Sequence, residues 1–123
     1  MATLADRYLP RRAVISADAA GDHDVVAPVA GRKLVVVSFM VVNVDGTTQQ
    51  VTFKSWDGST DNGDLDGLTA VTGALGLPEI AGGVLPFAEP MFGVFETPRG
   101  EGIAVELAEN AEVGGMLTYV AVA

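Results

Sequence analysis

The sequence predicts an all-β fold: a single-domain β-sandwich, jelly-roll-like, of about seven or eight strands behind a short N-terminal arm. Three observations carry this. Apolar residues recur with a period of two, or in short runs bounded by turn residues, and never with a sustained helical period. Fifteen glycines and six prolines punctuate the chain as many tight turns require. Finally, 49% hydrophobic against 19% charged residues over 123 positions suits one closed core and is too apolar for a disordered chain. Residues 1–11 read as the arm and residues 12–123 as the sandwich, with no linker and no internal repeat between them.

The elements follow in order. "RRAVISADAA" (11–20) alternates, with Val14 on one face and Ile15 on the other. "HDVVAPVAG" (23–31) contains Pro28, which suits an edge position because proline offers no ladder donor. "RKLVVVSFMVVNV" (32–44) is apolar on both faces, as a strand covered on both sides would be. Its second face is covered either by the chain's own loops or by a neighbouring subunit. Asp45-Gly46 then signals a hairpin. "QQVTFKSW" (49–56) reads as the return strand, with Val51, Phe53 and Ser55 facing one way and Thr52, Lys54 and Trp56 the other.

An acidic loop comes next, followed by the Gly-rich stretch 68–83, which supports neither helix nor strand. Two short aromatic segments within 84–102 are broken by Pro86, Pro90 and Pro98, and "IAVELAE" (103–109) alternates again. "GMLTYVAVA" (115–123) supplies the last strand. The aromatic cluster Phe87, Phe92 and Phe95 with Met91 reads mainly as core, with a remainder available for a contact between subunits.

Composition excludes several classes of function. There is no cysteine, hence no disulfide framework, thiolate metal site or cysteine nucleophile. The net charge of −9 is uneven. Residues 1–54 hold six basic residues against five acids, while residues 55–123 hold Arg99 alone against eleven. Such a chain cannot make the many phosphate contacts that nucleic-acid binding requires. Charges interrupt the N-terminal segment where a signal peptide needs an apolar core. The apolar run at 34–44 is about half of what a membrane-spanning helix needs. Neither nucleic acid nor membrane is expected as a partner, and the chain reads as soluble and not exported by a cleaved signal.

The candidate sites are weighed as follows. Over Asn62–Gly67, N-G-D-L-D-G has the opening spacing of a calcium loop, with Asp64 and Asp66 at the third and fifth positions. The match fails at the twelfth position, where Gly73 stands in place of a bidentate carboxylate. The tract reads as a solvated turn, and no metal or cofactor is expected. His23 is the sole histidine, with neither a nucleophile motif nor a second metal ligand to accompany it. Gly82-Gly83 and Gly114-Gly115 lack the strand–helix setting of a nucleotide loop. The carboxylate pairs Glu101/Glu106 and Glu106/Glu109 read as a solvent face rather than as an acid–base pair. No enzyme is expected.

The order of segments resembles that of small structural proteins of tailed bacteriophages. The resemblance rests on "VAGRK" before a Val-rich strand, the short "VTFKS", "FET" and the closing "GGMLTYV", spread over residues 14–122. It implies a virion component with a β-sandwich fold, of the kind used as head decoration (cement) proteins or as small tail-associated proteins. It carries no catalytic residues across, and the tract 57–66 reads as an insertion in a variable turn.

On that footing the expected function is head decoration. The chain would bind the major capsid protein on the outer capsid surface as a homotrimer or dimer, after synthesis in the host cytoplasm. In the arm, Arg7, Tyr8, Leu9, Arg11 and Arg12 are the candidate capsid contacts, cations flanking two apolar anchors. The alternatives are a tail- or fibre-associated protein, or a carbohydrate- or calcium-binding adhesion module. The last would need Trp56 exposed beside an ordered acidic loop.

Overall fold

The computed structural model describes residues 3–123, so Met1 and Ala2 of the expected arm lie outside the described residues. A helical turn, α1 (Leu4–Arg7), precedes β1 (Arg11–Ala17), β2 (Gly21–Val26), β3 (Lys33–Asn43) and β4 (Gln50–Trp56). Four two-residue strands follow: β5 (Thr60–Asp61), β6 (Asp64–Leu65), β7 (Thr69–Ala70) and β8 (Leu75–Gly76). The chain ends with β9 (Gly83–Ala88), β10 (Phe95–Glu96), β11 (Gly102–Leu107) and β12 (Val113–Val122). Seven strands hold six residues or more, and each overlaps a segment that the sequence reading marks as a strand or, for β9, as a short aromatic segment. The other five hold two residues each, too few to show any period.

Two antiparallel sheets form the sandwich. The first runs β1-β12-β3, with β9 and β10 end to end along the far side of β3. The second runs β2-β11-β4, with β7 and β8 end to end along β4. The pairings are nested: β1 with β12, β2 with β11, β3 with β9 and β10, and β4 with β7 and β8. The chain thus behaves as one long hairpin rolled up so that its rungs alternate between the sheets, a jelly-roll-like winding.

Alternation sets the layers. In β1, Val14 is 75% exposed and Ile15 1%, so one face enters the core and the other points out. β3 needs a correction to simple alternation. Its register against β12 slips between Thr118 and Tyr119, which pair with Ser38 and Val36 and leave Val37 as an extra residue. This bulge passes the inward role from Leu34 and Val36 to Phe39 and Val41. Leu34 to Val37 are all buried, Leu34 and Val36 toward the core and Val35 and Val37 beneath the 89–94 segment. Gly115, opposite Val41 and Ile15, sits at φ +143°, and a Cβ there would run into the Met40 carbonyl.

The core is built on three rings. Phe53 of the second sheet lies 4.9 Å from both Phe39 and Phe95 of the first, centroid to centroid. Leu34, Ile103, Leu107 and Leu117 close around them. Of the aromatic segments expected mainly in the core, Phe95 is buried, Phe87 is half-exposed and Phe92 is 75% exposed. Phe92 is a correction: it lies in the turn between β9 and β10, beyond the reach of the inter-sheet space.

Candidate interaction surface

The outer faces of the two sheets differ. On the first sheet, register alone assembles rows across the strands. Val14 lies beside Met116, Met116 beside Met40, and Met40 beside Pro86. The row on one side is Arg12, Thr118, Ser38 and Ala88, and on the other Ser16, Gly114, Val42 and Val84. These twelve positions hold one charge, Arg12 at a corner, on a chain with sixteen carboxylates. Val14, Met116, Met40 and Val84 are 75, 42, 38 and 40% exposed. An antiparallel sheet whose outer face meets only water is normally polar there.

Further along the same face the covering is internal. Gly93 packs against Val35, and the Glu89 and Val94 amides donate to the Val37 and Val36 carbonyls. The Leu4 amide donates to Pro90, 3.0 Å away, which places α1 against the 90–93 turn. Of the two coverings expected for the second face of residues 32–44, the structure shows the chain's own loops over part of it. Loops cover it at Val35 and Val37, and at Met40 it is open.

The outer face of the second sheet is charged. Lys54 Nζ stands 3.0 Å from Asp22 Oδ1 and 3.3 Å from Glu106 Oε2, with Asp24 on the same face. Burial works to lower the Lys54 pKa, but the hydrogen bonds and charges of Asp22 and Glu106 outweigh it and raise the value. Glu106 is thus engaged by a lysine, and Glu101 and Glu109 lie beyond opposite ends of β11. His23 Nε2 donates to the Ala19 carbonyl, 2.7 Å away, next to the β1–β2 turn.

The acidic tract folds as a hairpin, β5–β6. Asn62 and Gly63 both take positive φ, 52° and 85°, the two-residue turn that suits strand twist. Asp61 is paired with Asp64 across the strands. Asp57 Oδ1 accepts the Ser59 hydroxyl at 2.7 Å and the Ser59 amide at 2.8 Å, which lowers the pKa of its carboxyl. The Asn, Asp and Gly residues of the tract serve turn chemistry here. Trp56 corrects the requirement of the adhesion alternative: it is buried, and its indole N–H donates to the Val26 carbonyl at 3.0 Å. Substituting Asn for Asp61, Asp64 and Asp66 together is expected to leave the melting temperature equally insensitive to calcium. A calcium-dependent rise present in the native chain and absent from the variant would restore the metal reading.

The five candidate contact residues lie at one end of the sandwich. Arg7 ends α1, Tyr8 N–H donates to the Leu4 carbonyl, Leu9 is 75% exposed, and Arg11 and Arg12 open β1. Arg7, Tyr8, Leu9 and Arg11 line one groove together with Val29 and Arg32. Arg32, held there by a 3.3 Å bond to the Ala121 carbonyl, escaped sequence reasoning. Arg12 points away from this groove, onto the apolar face. Met40, Met116 and Val84 were also missed as surface residues, since each belongs to a segment that reads as core.

No protein-family model matches the chain, and no curated protein does. Several solved structures show similarity, three of them as follows. One is the T13 viral particle of infectious bursal disease virus, at 13% identity and TM-score 0.42, covering 90% of this chain and 31% of that one. The Gx strain of the same virus gives 14% identity and TM-score 0.36, covering 89% and 33%. A VP2 subviral particle gives 15% and 0.35, covering 93% and 33%. The chain spans about a third of the length of these chains.

Proposed function

We propose that the chain is a non-enzymatic structural component of a bacteriophage virion, a head decoration protein bound to the outer surface of the major capsid protein. One observation carries this reading: the open row Val14–Met116–Met40–Pro86 on an otherwise acidic molecule. A largely apolar sheet face with a single charge at its corner marks a surface that meets protein rather than water. The two faces of the sandwich then have separate roles. The apolar face seats on the shell, and the charged second sheet faces solvent and keeps particles apart.

The groove end adds Arg7, Tyr8, Leu9, Arg11 and Arg32 as contacts to an acidic neighbour. Arg12 lies at the margin of the apolar face. A domain that binds assembled shell and not free subunits stabilises the shell by mass action. No chemistry is required of it, only area, rigidity and a repeated lattice of sites.

The test uses Met116→Glu, which puts a carboxylate in the middle of the row at a position already 42% exposed. Binding to particles stripped of the protein should weaken by about 30-fold or more, the effect of losing a central contact, with the melting temperature nearly unchanged. Unimpaired binding by a folded variant would refute the role of this face. Density for the 12.7 kDa domain at regular sites over the whole head supports decoration, and density confined to the tail overturns it.

A further inference from the structure

We propose that the free edge of β1 is a self-association site, at which a second copy of this chain pairs antiparallel and continues the first sheet across a two-fold axis. A bare strand edge is a template for another strand, and folded proteins usually block it with proline, bulges, charge or brevity. The other edges here are blocked in these ways. β2 carries a bulge between its pairings to Ile103 and Ala104, together with Asp22 and Asp24. β9 carries Pro86, and β7, β8 and β10 hold two residues each.

β1 carries charge only at its start, Arg11 and Arg12, and none of the other blocks. Its seven residues run in unbroken register with β12, contain no proline and expose Val14 by 75%. Among the described residues, no backbone hydrogen bond outside the β1–β12 ladder involves residues 11–18.

The edge is also complementary to itself. Residues 12–18 read Arg-Ala-Val-Ile-Ser-Ala-Asp, a cation at one end and an anion at the other. Antiparallel pairing centred on Ile15 sets Arg12 opposite Asp18 of the second copy, and the symmetry repeats that pair. Val14 falls opposite Ser16. Arg12, Val14 and Ser16 are exposed on one face of β1, and Asp18, also exposed, is the first residue beyond it, so the outer face stays outside across the joint. Main-chain bonds supply the adhesion and the two charge pairs set the register. The contact is isologous and closes at two copies. It also joins the two Val14–Met116–Met40–Pro86 rows into one apolar surface. This inference stands on the edge alone and does not require the virion reading.

Sedimentation of the full chain across a concentration series tests it. The expected species is twice 12.7 kDa at about 100 μM, within the range of modest interfaces. Arg12→Asp and Asp18→Arg should each weaken the dimer about tenfold or more, since each sets like charges opposite one another twice. The double exchange R12D/D18R should recover affinity to within about threefold of the native value. Both residues are exposed, so circular dichroism and melting temperature should not change. A monomer throughout the series, a trimer, or a dimer indifferent to all three variants would overturn the proposal.

Discussion

Replacing Phe53 by Ala is expected to lower the unfolding free energy by about 3–5 kcal/mol, the usual cost of truncating a buried phenylalanine. The ring has no exposed surface and lies between Phe39 and Phe95, 4.9 Å from each. Its removal deletes the contact that joins the two sheets at their centre. Aromatic pairing adds about 0.5–1.5 kcal/mol per pair beyond the area lost, and the rolled winding leaves the sheets little freedom to collapse into the gap. A domain of this size holds about 5–15 kcal/mol in total, so the variant retains a fold near its margin. Urea unfolding and calorimetry should show the loss, with a melting temperature about 10–20 °C lower. Phe92→Ala is the control: 75% exposed, it should change stability by less than about 0.5 kcal/mol. Equal effects at the two positions would contradict the assignment of the core.

The difference between these two phenylalanines shows what the sequence discloses and what it conceals. Phe53 lies in the alternating segment 49–56, where Val51, Phe53 and Ser55 share a side, and all three are buried. Period two therefore identifies the inward residues wherever a strand runs six residues or more without interruption. Phe92 sits between Pro90 and β10, with no period around it, and hydrophobicity alone sends it to the wrong place. β3 misleads in another way: the bulge at Val37 moves the inward face by one residue, and a Val-rich run looks the same before and after such a shift.

The candidate surface was harder to read than the core. Val14, Met116, Met40 and Pro86 are far apart in the chain and meet only through the pairing of four strands. Each strand alone offers one apolar residue on its outer face, which is ordinary. What makes the row unusual is the alignment, and alignment is a property of register. Arg32 joins the arginine groove for the same reason, since the start of β3 lies alongside the end of β12. Trp56 lies on the outer side, where alternation puts it, yet it is buried. Gly102 has no side chain to fill the space in which the indole reaches the Val26 carbonyl, and a Cβ there would stand 2.7 Å from the indole nitrogen.

Gln49→Glu, a change of one atom type, is expected to destabilise the chain about as much as losing a core ring. Gln49 is 1% exposed and uses its whole hydrogen-bonding capacity. Its amide nitrogen donates to the Glu109 carbonyl at 2.9 Å and the Ala111 carbonyl at 3.1 Å. Its oxygen accepts the Gln50 and Glu109 amides at 3.0 Å each. The side chain thus ties the start of β4 to the β11–β12 loop. A carboxylate cannot donate to the two carbonyls, and its charge would be buried with no cation beside it. The expected cost near neutral pH is about 3–5 kcal/mol.

The sign of the pH dependence separates this mechanism from simple loss of packing. Burial and two facing carbonyl oxygens raise the pKa of the introduced carboxyl in the folded chain above its unfolded value. The folded state then binds more protons than the unfolded state between those two values, and stability falls as pH rises through them. At pH below the ordinary glutamic acid range the carboxyl is protonated in both states, and part of the loss is regained because one donor is restored. Urea midpoints measured from acid to neutral pH should diverge from those of the native chain as pH rises. Gln49→Ala, which adds no titrating group, should run parallel to the native curve at a lower level. A Gln49→Glu variant that tracks the alanine variant at every pH would show that the loop is held by something other than this amide.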